Sequence, residues 1–504
     1  MTTSSDETNE VEMVTSPGER ETDGLVSFEV HPKRTLRRFV YFAFCFSLVP
    51  AAALACLALA TAKLGSVGAW QSGTLYLTYT LSSITVATYA TKKLGSLNAV
   101  LLGAWLYCAY VICFAIALIV PSAQRPLALM GAAMGGAGAG VLWTAQGVYF
   151  SQTAELFALE SESDWETATS KLSGIFAFIL LLEETLLDVA STVLTRVLHV
   201  PWSIVFILYA SLAVGGTVAL QLPFVPRFTS EDYEEGTNLW SKTTATFSVL
   251  IRDSKMKYMI GLNAAFGFAG AFLNSFVSGE VLPVALGDTS SSYVGLLVAV
   301  HGGVAAVMSL VFGAVSQYTG KGPVLIVGAV SFGLVATPFL LLPDLTQWTW
   351  YMLLGIYSVE GVGRATFEGT LKAVFADYFP YEKEGAFANI ILQNGLASSL
   401  AYVLSFRLTC DRASTYCIEY RDGSLHNLFA FGMIVVVSSA AAVLGYLRAA
   451  YLHNTNDGAV QEYRRRSTVS WNERRSTSAS VDRRTYRSLE KAARELEDEL
   501  PALS

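Results

Sequence analysis

The sequence predicts an all-α polytopic membrane protein with twelve transmembrane helices in two six-helix halves. Three observations predict it. Of the 504 residues, 53% are hydrophobic and only 15% charged, against about 25% charged in a soluble globular chain. The apolar residues come in long runs such as Phe39 to Ala62 and Leu94 to Pro121, the second with no Asp, Glu, Lys or Arg. About 18 or more apolar residues suffice to cross a bilayer as a helix, the element that satisfies its own backbone there. Finally, a polar stretch over about 225–257 divides the runs six and six. A soluble enzyme, a disordered chain and a disulfide scaffold are excluded.

The spans run in order along the chain. Span 1 (39–62) starts after Lys33, Arg34, Arg37 and Arg38. Span 2 (67–91) stops at Lys92 and Lys93, and span 3 (95–120) at Pro121. Span 4 (126–151) is rich in Gly and Ala. Span 5 (171–197) ends before Pro201, and span 6 (202–224) before Pro226. Spans 7 (258–280) and 8 (291–316) come after the central loop. Span 9 (322–343) lies between Pro323 and Pro343, and spans 10 (347–375), 11 (384–407) and 12 (426–451) complete the set.

Lys and Arg near the helix ends set orientation. The groups before span 1, between spans 2 and 3, and between spans 6 and 7 fall on one side, with Lys321, Lys383 and the basic C-terminal tail. Both termini are therefore expected in the cytoplasm. The domain plan is an acidic disordered tail (1–38), a first half (39–224), a cytoplasmic central loop (225–257), a second half (258–451) and a disordered Ser/Arg-rich tail (452–504). No apolar stretch starts near Met1, so no cleavable signal peptide is expected. The loop 152–170 is acidic although it falls on the cytoplasmic side. An offset of 225 residues superimposes Gly95, Gly103, Gly136 and Gly138 on Gly320, Gly328, Gly361 and Gly363. Parallel repeats joined by a central loop are the plan of the major facilitator superfamily.

Three strings carry a resemblance. They are Gly-Val-Leu-Trp-Thr-Ala-Gln-Gly-Val-Tyr (140–149), Gly-Arg-Ala-Thr-Phe-Glu-Gly-Thr-Leu-Lys-Ala (363–373) and Ala-Phe-Ala-Asn-Ile-Ile-Leu-Gln-Asn-Gly-Leu-Ala-Ser (386–398). The chain resembles the Unc-93-like family of the major facilitator superfamily, most specifically in Leu-Trp-Thr-Ala-Gln-Gly. The resemblance implies a regulator of an ion channel or a chaperone of membrane receptors. The superfamily's acid-containing signature between spans 2 and 3 is reduced here to Thr-Lys-Lys-Leu-Gly (91–95).

Span 10 holds Glu360, Arg364, Glu368 and Lys372 at intervals of four. Residues four apart share a helix face, so the four form one stripe of alternating sign. A lone charge at the bilayer centre costs roughly 2.5–3.5 kcal/mol on insertion scales, so the stripe must face a wet cavity or the bundle interior and pair within itself. It is either a binding surface or gate for a charged solute, or a self-neutralised packing ladder. Span 5 carries Glu183, Glu184 and Asp188, candidates for a proton carrier or cation ligand. Gln146, Asn389 and Gln393 are further candidates, with interhelical hydrogen bonding as the competing role. His301 has no second ligand nearby in sequence, so no metal is expected. The Gly-rich string 135–140 lacks the strand a dinucleotide loop requires. No cofactor, nucleic-acid partner or enzymatic activity is expected.

Cys410 and Cys417 fall between spans 11 and 12, on the side that is oxidising in the secretory pathway, and a disulfide is expected there. In the C-terminal tail, Ser467, Thr468, Ser476, Thr477 and Thr485 come after basic pairs as in substrates of basophilic kinases. The partners expected are membrane lipid and either a channel or receptor, or, on the alternative reading, a small solute or ion carried by alternating access.

Overall fold

The computed structural model describes residues 32–456, apart from 65, 229–244, 288–293, 381–382, 411, 413 and 420–424. Almost all of it is helix. The helices are α1 (Pro32–Leu64), α2 (66–94), α3 (Ser96–Ile119), α4 (Gln124–Ser161), α5 (165–197), α6 (Trp202–Ala219), α7 (254–286), α8 (Val294–Thr319), α9 (Lys321–Leu341), α10 (350–378), α11 (Lys383–Arg407) and α12 (Leu428–Asn456). A short helix, Ala245–Arg252, precedes α7.

Nine of the described helices are long and apolar enough to cross a membrane. The three that fall short of that measure are α2, α5 and α10. Each has a physical reason. Helix α2 is rich in Ser, Thr and Tyr, and α10 carries Glu360, Arg364, Glu368 and Lys372; each also contains a π-helical turn (Ser83–Ala87 and Thr366–Leu371). In α5, Glu183, Glu184 and Asp188 sit in mid-helix. The π-turn of α10 contains Glu368, and π-turns often mark functional positions.

The acidic segment 152–170 is not a loop. Helix α4 continues to Ser161 and α5 begins at Trp165, leaving a tight connection. Asp164 caps α5 by accepting from the Thr167 N–H at 2.8 Å, which satisfies one of the free donors at a helix start.

Packing rests on aromatic faces and on glycines. In α1, Phe39, Phe42 and Phe46 recur at helical spacing and are fully buried. They meet Tyr149 and Phe150 of α4 and Phe176 of α5. Around α7, Phe272 and Phe276 both pack on Phe339 of α9. Where helices come closest, side chains are absent: a Cβ on Gly174 of α5 would stand 2.8 Å from the Cα of Gly313 on α8. The glycine repeat has a structural counterpart. Gly95 and Gly320 take φ of 79° and 76° just before α3 and α9, a conformation glycine adopts without steric cost. Gly136 faces α2 and Gly361 faces α8, each against a neighbouring backbone.

Between α11 and α12 a hairpin pairs Cys417–Glu419 with Leu425–Asn427 antiparallel. Cys410 and Cys417 are joined by a disulfide, with their Cα atoms 5.6 Å apart. Arg412 and Glu419 pair across the loop at 3.1 Å.

Candidate functional site

The stripe on α10 is real in sequence but does not stay on one face. The π-turn at Thr366–Leu371 adds residues per turn and rotates the part of the helix beyond it. Glu360 and Arg364 lie before the turn or at its edge, while Lys372 lies after it. The ladder therefore does not close on itself as expected. Only Glu368 and Lys372 pair within the helix, at 2.8 Å.

The other charges are met from elsewhere. Arg364 Nη2 donates to Glu184 Oε2 of α5 at 2.5 Å. Glu360, 2% exposed, pairs with His301 of α8. Tyr357, one turn before Glu360, shares a 2.7 Å hydrogen bond with Ser278 of α7. Lys372 directs its ammonium over the Trp143 ring of α4, 4.4 Å from its centre, and stands 5.3 Å from that of Phe176. Helix α10 is thus held to α4, α5 and α8 by charge contacts at successive levels. A buried pair is costly to break from one side, since removal of one partner leaves an uncompensated charge.

Glu183 and Glu184 are adjacent in sequence and so diverge around the helix. Glu184 reaches Arg364. Glu183 is 6% exposed, and neither of its carboxyl oxygens has a hydrogen-bond partner among the described residues. Asp188, a turn beyond Glu184, lies in the electrostatic field of both Glu184 and Arg364. Gln146 is buried with its Nε2 unpartnered among the described residues. Gln393 accepts from Asn263 of α7 at 2.7 Å, and Asn389 donates to the Gly385 carbonyl of its own helix at 2.8 Å. Ser467, Thr468, Ser476, Thr477 and Thr485 lie outside the described residues.

A second cluster closes one end of the bundle. Lys321 Nζ, at the start of α9, meets Asp377 of α10 at 2.5 Å, Thr169 Oγ1 of α5 at 2.9 Å and the Glu166 carbonyl at 3.0 Å. Thr169 in turn donates to Asp377 at 3.0 Å. At the same end Lys383 meets Glu155 at 3.3 Å and Lys92 meets Glu384 at 3.8 Å. Sequence reading missed Trp143, Phe176 and Asp377, and used Lys321 only as a marker of orientation. Trp143 sat in the most specific string and offered a signal; Phe176 and Asp377 had none.

The arrangement of long helices defines a multi-pass membrane protein with the major facilitator superfamily fold. The E. coli fucose:proton symporter FucP in its outward conformation superimposes with a TM-score of 0.58 at 12% identity, over 82% of this chain and 99% of that one. The human organic anion transporter MFSD10 gives 0.57 at 14%, over 83% and 99%. At such identity the likeness concerns the fold alone.

Residues 66–413 match the family described as "Ion channel regulatory protein UNC-93". The chain belongs to the UNC-93 family. Bovine (Bos taurus) protein unc-93 homolog A is 28% identical over 233 residues, 46% of this chain and 49% of that protein. The human homolog A is 27% identical over 213 residues, 42% and 44%. The chain spans about half the length of the curated relatives it matches.

Proposed function

We propose that this protein regulates or chaperones an ion channel or another membrane protein and catalyses no reaction. The observation that carries the reading is the family match over residues 66–413. The pairing around α10 supports it: the Arg364–Glu184 and His301–Glu360 contacts tie α10 to α5 and α8. In this reading the charges of α10, with Glu184 and His301, are a structural lock, and residues 39–224 and 258–451 form two six-helix halves. The twelve helices cross the membrane with both termini in the cytoplasm.

A second reading is secondary transport of a small solute or ion. The fold of its structural neighbours favours it, as does the buried carboxyl of Glu183, which has no hydrogen-bond partner among the described residues. One pair of measurements separates the two. The protein, purified from its native membrane, is analysed for a stable membrane-protein partner and reconstituted alone in liposomes for uptake and current. The regulatory reading expects a partner and no flux. Flux that Glu368→Gln abolishes would overturn it.

A further inference from the structure

We propose that Glu183 is a proton-binding site: its carboxyl is held as the neutral acid in this conformation, and it ionises when the first half of the chain opens to water. The inference stands under either reading of function, because its test measures neither a partner nor flux.

The side chain lies on the face of α5 that packs into the first half. Phe176, two turns earlier on the same face, packs on Phe39 and Phe46 of α1. Leu187, one turn later, is buried, and its carbonyl accepts from Tyr209 of α6 at 2.8 Å. Glu183 sits between them, 6% exposed, and both of its carboxyl oxygens lack a hydrogen-bond partner among the described residues. That face offers no cation. Residues 39–62 of α1, 126–161 of α4 and 202–219 of α6 contain no Lys, Arg or His. The buried titratable groups of these segments are Cys45 and Cys56 of α1, Tyr149 of α4 and Tyr209 of α6, thiols and phenols that carry no positive charge in any form. Cys45 lies in the electrostatic field of Glu183.

From the other side, α8 and α10 bring His301, Glu360, Arg364, Glu368, Lys372 and Asp377. The cations among them are engaged: His301 with Glu360, Arg364 with Glu184 and Lys372 with Glu368, while Asp377 meets Lys321. On α5 itself, Glu184 and Asp188 add only negative charge, and Lys171 and Arg196 stand about 18 Å or more along the axis. An ionised carboxylate sealed from water without a partner is far costlier than the neutral acid. Glu184, Glu360 and Glu368 meet a cation and can stay charged; for Glu183 a proton takes the cation's place. Water reverses the balance. A conformation that wets this face releases the proton and keeps the carboxylate, so proton concentration is linked to how tightly the first half packs.

The test uses the full chain, purified into lipid nanodiscs at about pH 7, where a solvated glutamate is ionised. Infrared difference spectra between the parent and Glu183→Gln read the state of this one group. The parent should show an extra carbonyl band of a protonated carboxyl and no extra carboxylate bands. Extra carboxylate bands would overturn the proposal. A carboxylate that shifts when sodium chloride replaces choline chloride would assign the group to a metal cation and overturn it too. Thermal unfolding gives a second readout. The packed form holds a proton that the unfolded chain releases, so stability falls as pH rises. From about pH 5 to about pH 8 the parent's Tm should drop by about 2 °C or more relative to Glu183→Gln. Equal pH profiles in the two would count against the site. If Glu183→Gln does not accumulate as folded protein, the parent is labelled with 13C-glutamate instead. Inside the bundle Glu184, Glu360 and Glu368 face cations, so a label-sensitive band of a protonated carboxyl supports the site, and its absence overturns the proposal.

Discussion

Arg364 sits where the energetics of single residues are clearest. It is the cation that Glu184 accepts from, and its charge also acts on Glu360 and Glu368. Replacing it by Ala leaves a buried carboxylate without its partner, at a cost of about 3–5 kcal/mol. We expect Arg364→Ala to lower surface expression and Tm strongly, and Arg364→Lys to restore part of both, since a lysine keeps the charge but loses the fork-shaped contact. Normal surface level and Tm in Arg364→Ala would overturn this. The sequence made Arg364 visible because a mid-membrane arginine is costly and rarely idle. It named Glu184 as a separate candidate but did not join the two, because four-residue spacing names neighbours within a helix and not a partner 180 residues away. The same limit hid the contact of Lys372 with Trp143. Both residues stood in recognisable strings, but nothing in one string points to the other.

At the level of whole elements, hydropathy located helices by their apolar interiors and misjudged their polar ends. Helix α4 runs ten residues past the predicted 151, because 152–161 mixes polar residues such as Glu155 and Glu160 with apolar ones such as Leu156 and Phe157 and remains helical. Helix α10 lost its single face for a different reason: a π-turn has no sequence signature that an ideal 3.6-residue period could register. The junction of α4 and α5 makes a prediction of its own. Burial would push the Asp164 carboxyl up, but the Thr167 N–H and hydroxyl, with Lys321 nearby, hold it below the usual carboxylate value. A lowered folded-state pKa means that the ionised cap stabilises above the unfolded value, about 3.9, and that the gain is lost as pH falls through the folded value. Asp164→Ala should therefore destabilise by about 0.5–2 kcal/mol. The difference should stay constant between pH 8 and 5 and shrink below about pH 4. A difference that already fades between pH 8 and 6 in thermal unfolding would contradict the assignment.

The molecule as a whole was legible where physics is coarse. Long uncharged runs announced the membrane, and of the glycines paired at a 225-residue offset, Gly95 and Gly320 take matching backbone angles. The positive-inside bias also predicts an orientation. In sealed endoplasmic-reticulum microsomes, protease added outside should remove tags from both termini and leave the 410–417 loop intact. Protection of either tag would reverse the topology.

The bridge between Cys410 and Cys417 records where each copy has been. The chain has six cysteines, and Cys45, Cys56, Cys108 and Cys113 remain thiols. On the proposed topology, a copy whose hairpin has entered an oxidising lumen offers four sulfurs to an alkylating reagent after denaturation, and a copy still awaiting insertion offers six. Mass spectrometry of alkylated protein thus sorts a population by age of assembly, molecule by molecule, with no antibody or fluorescent label.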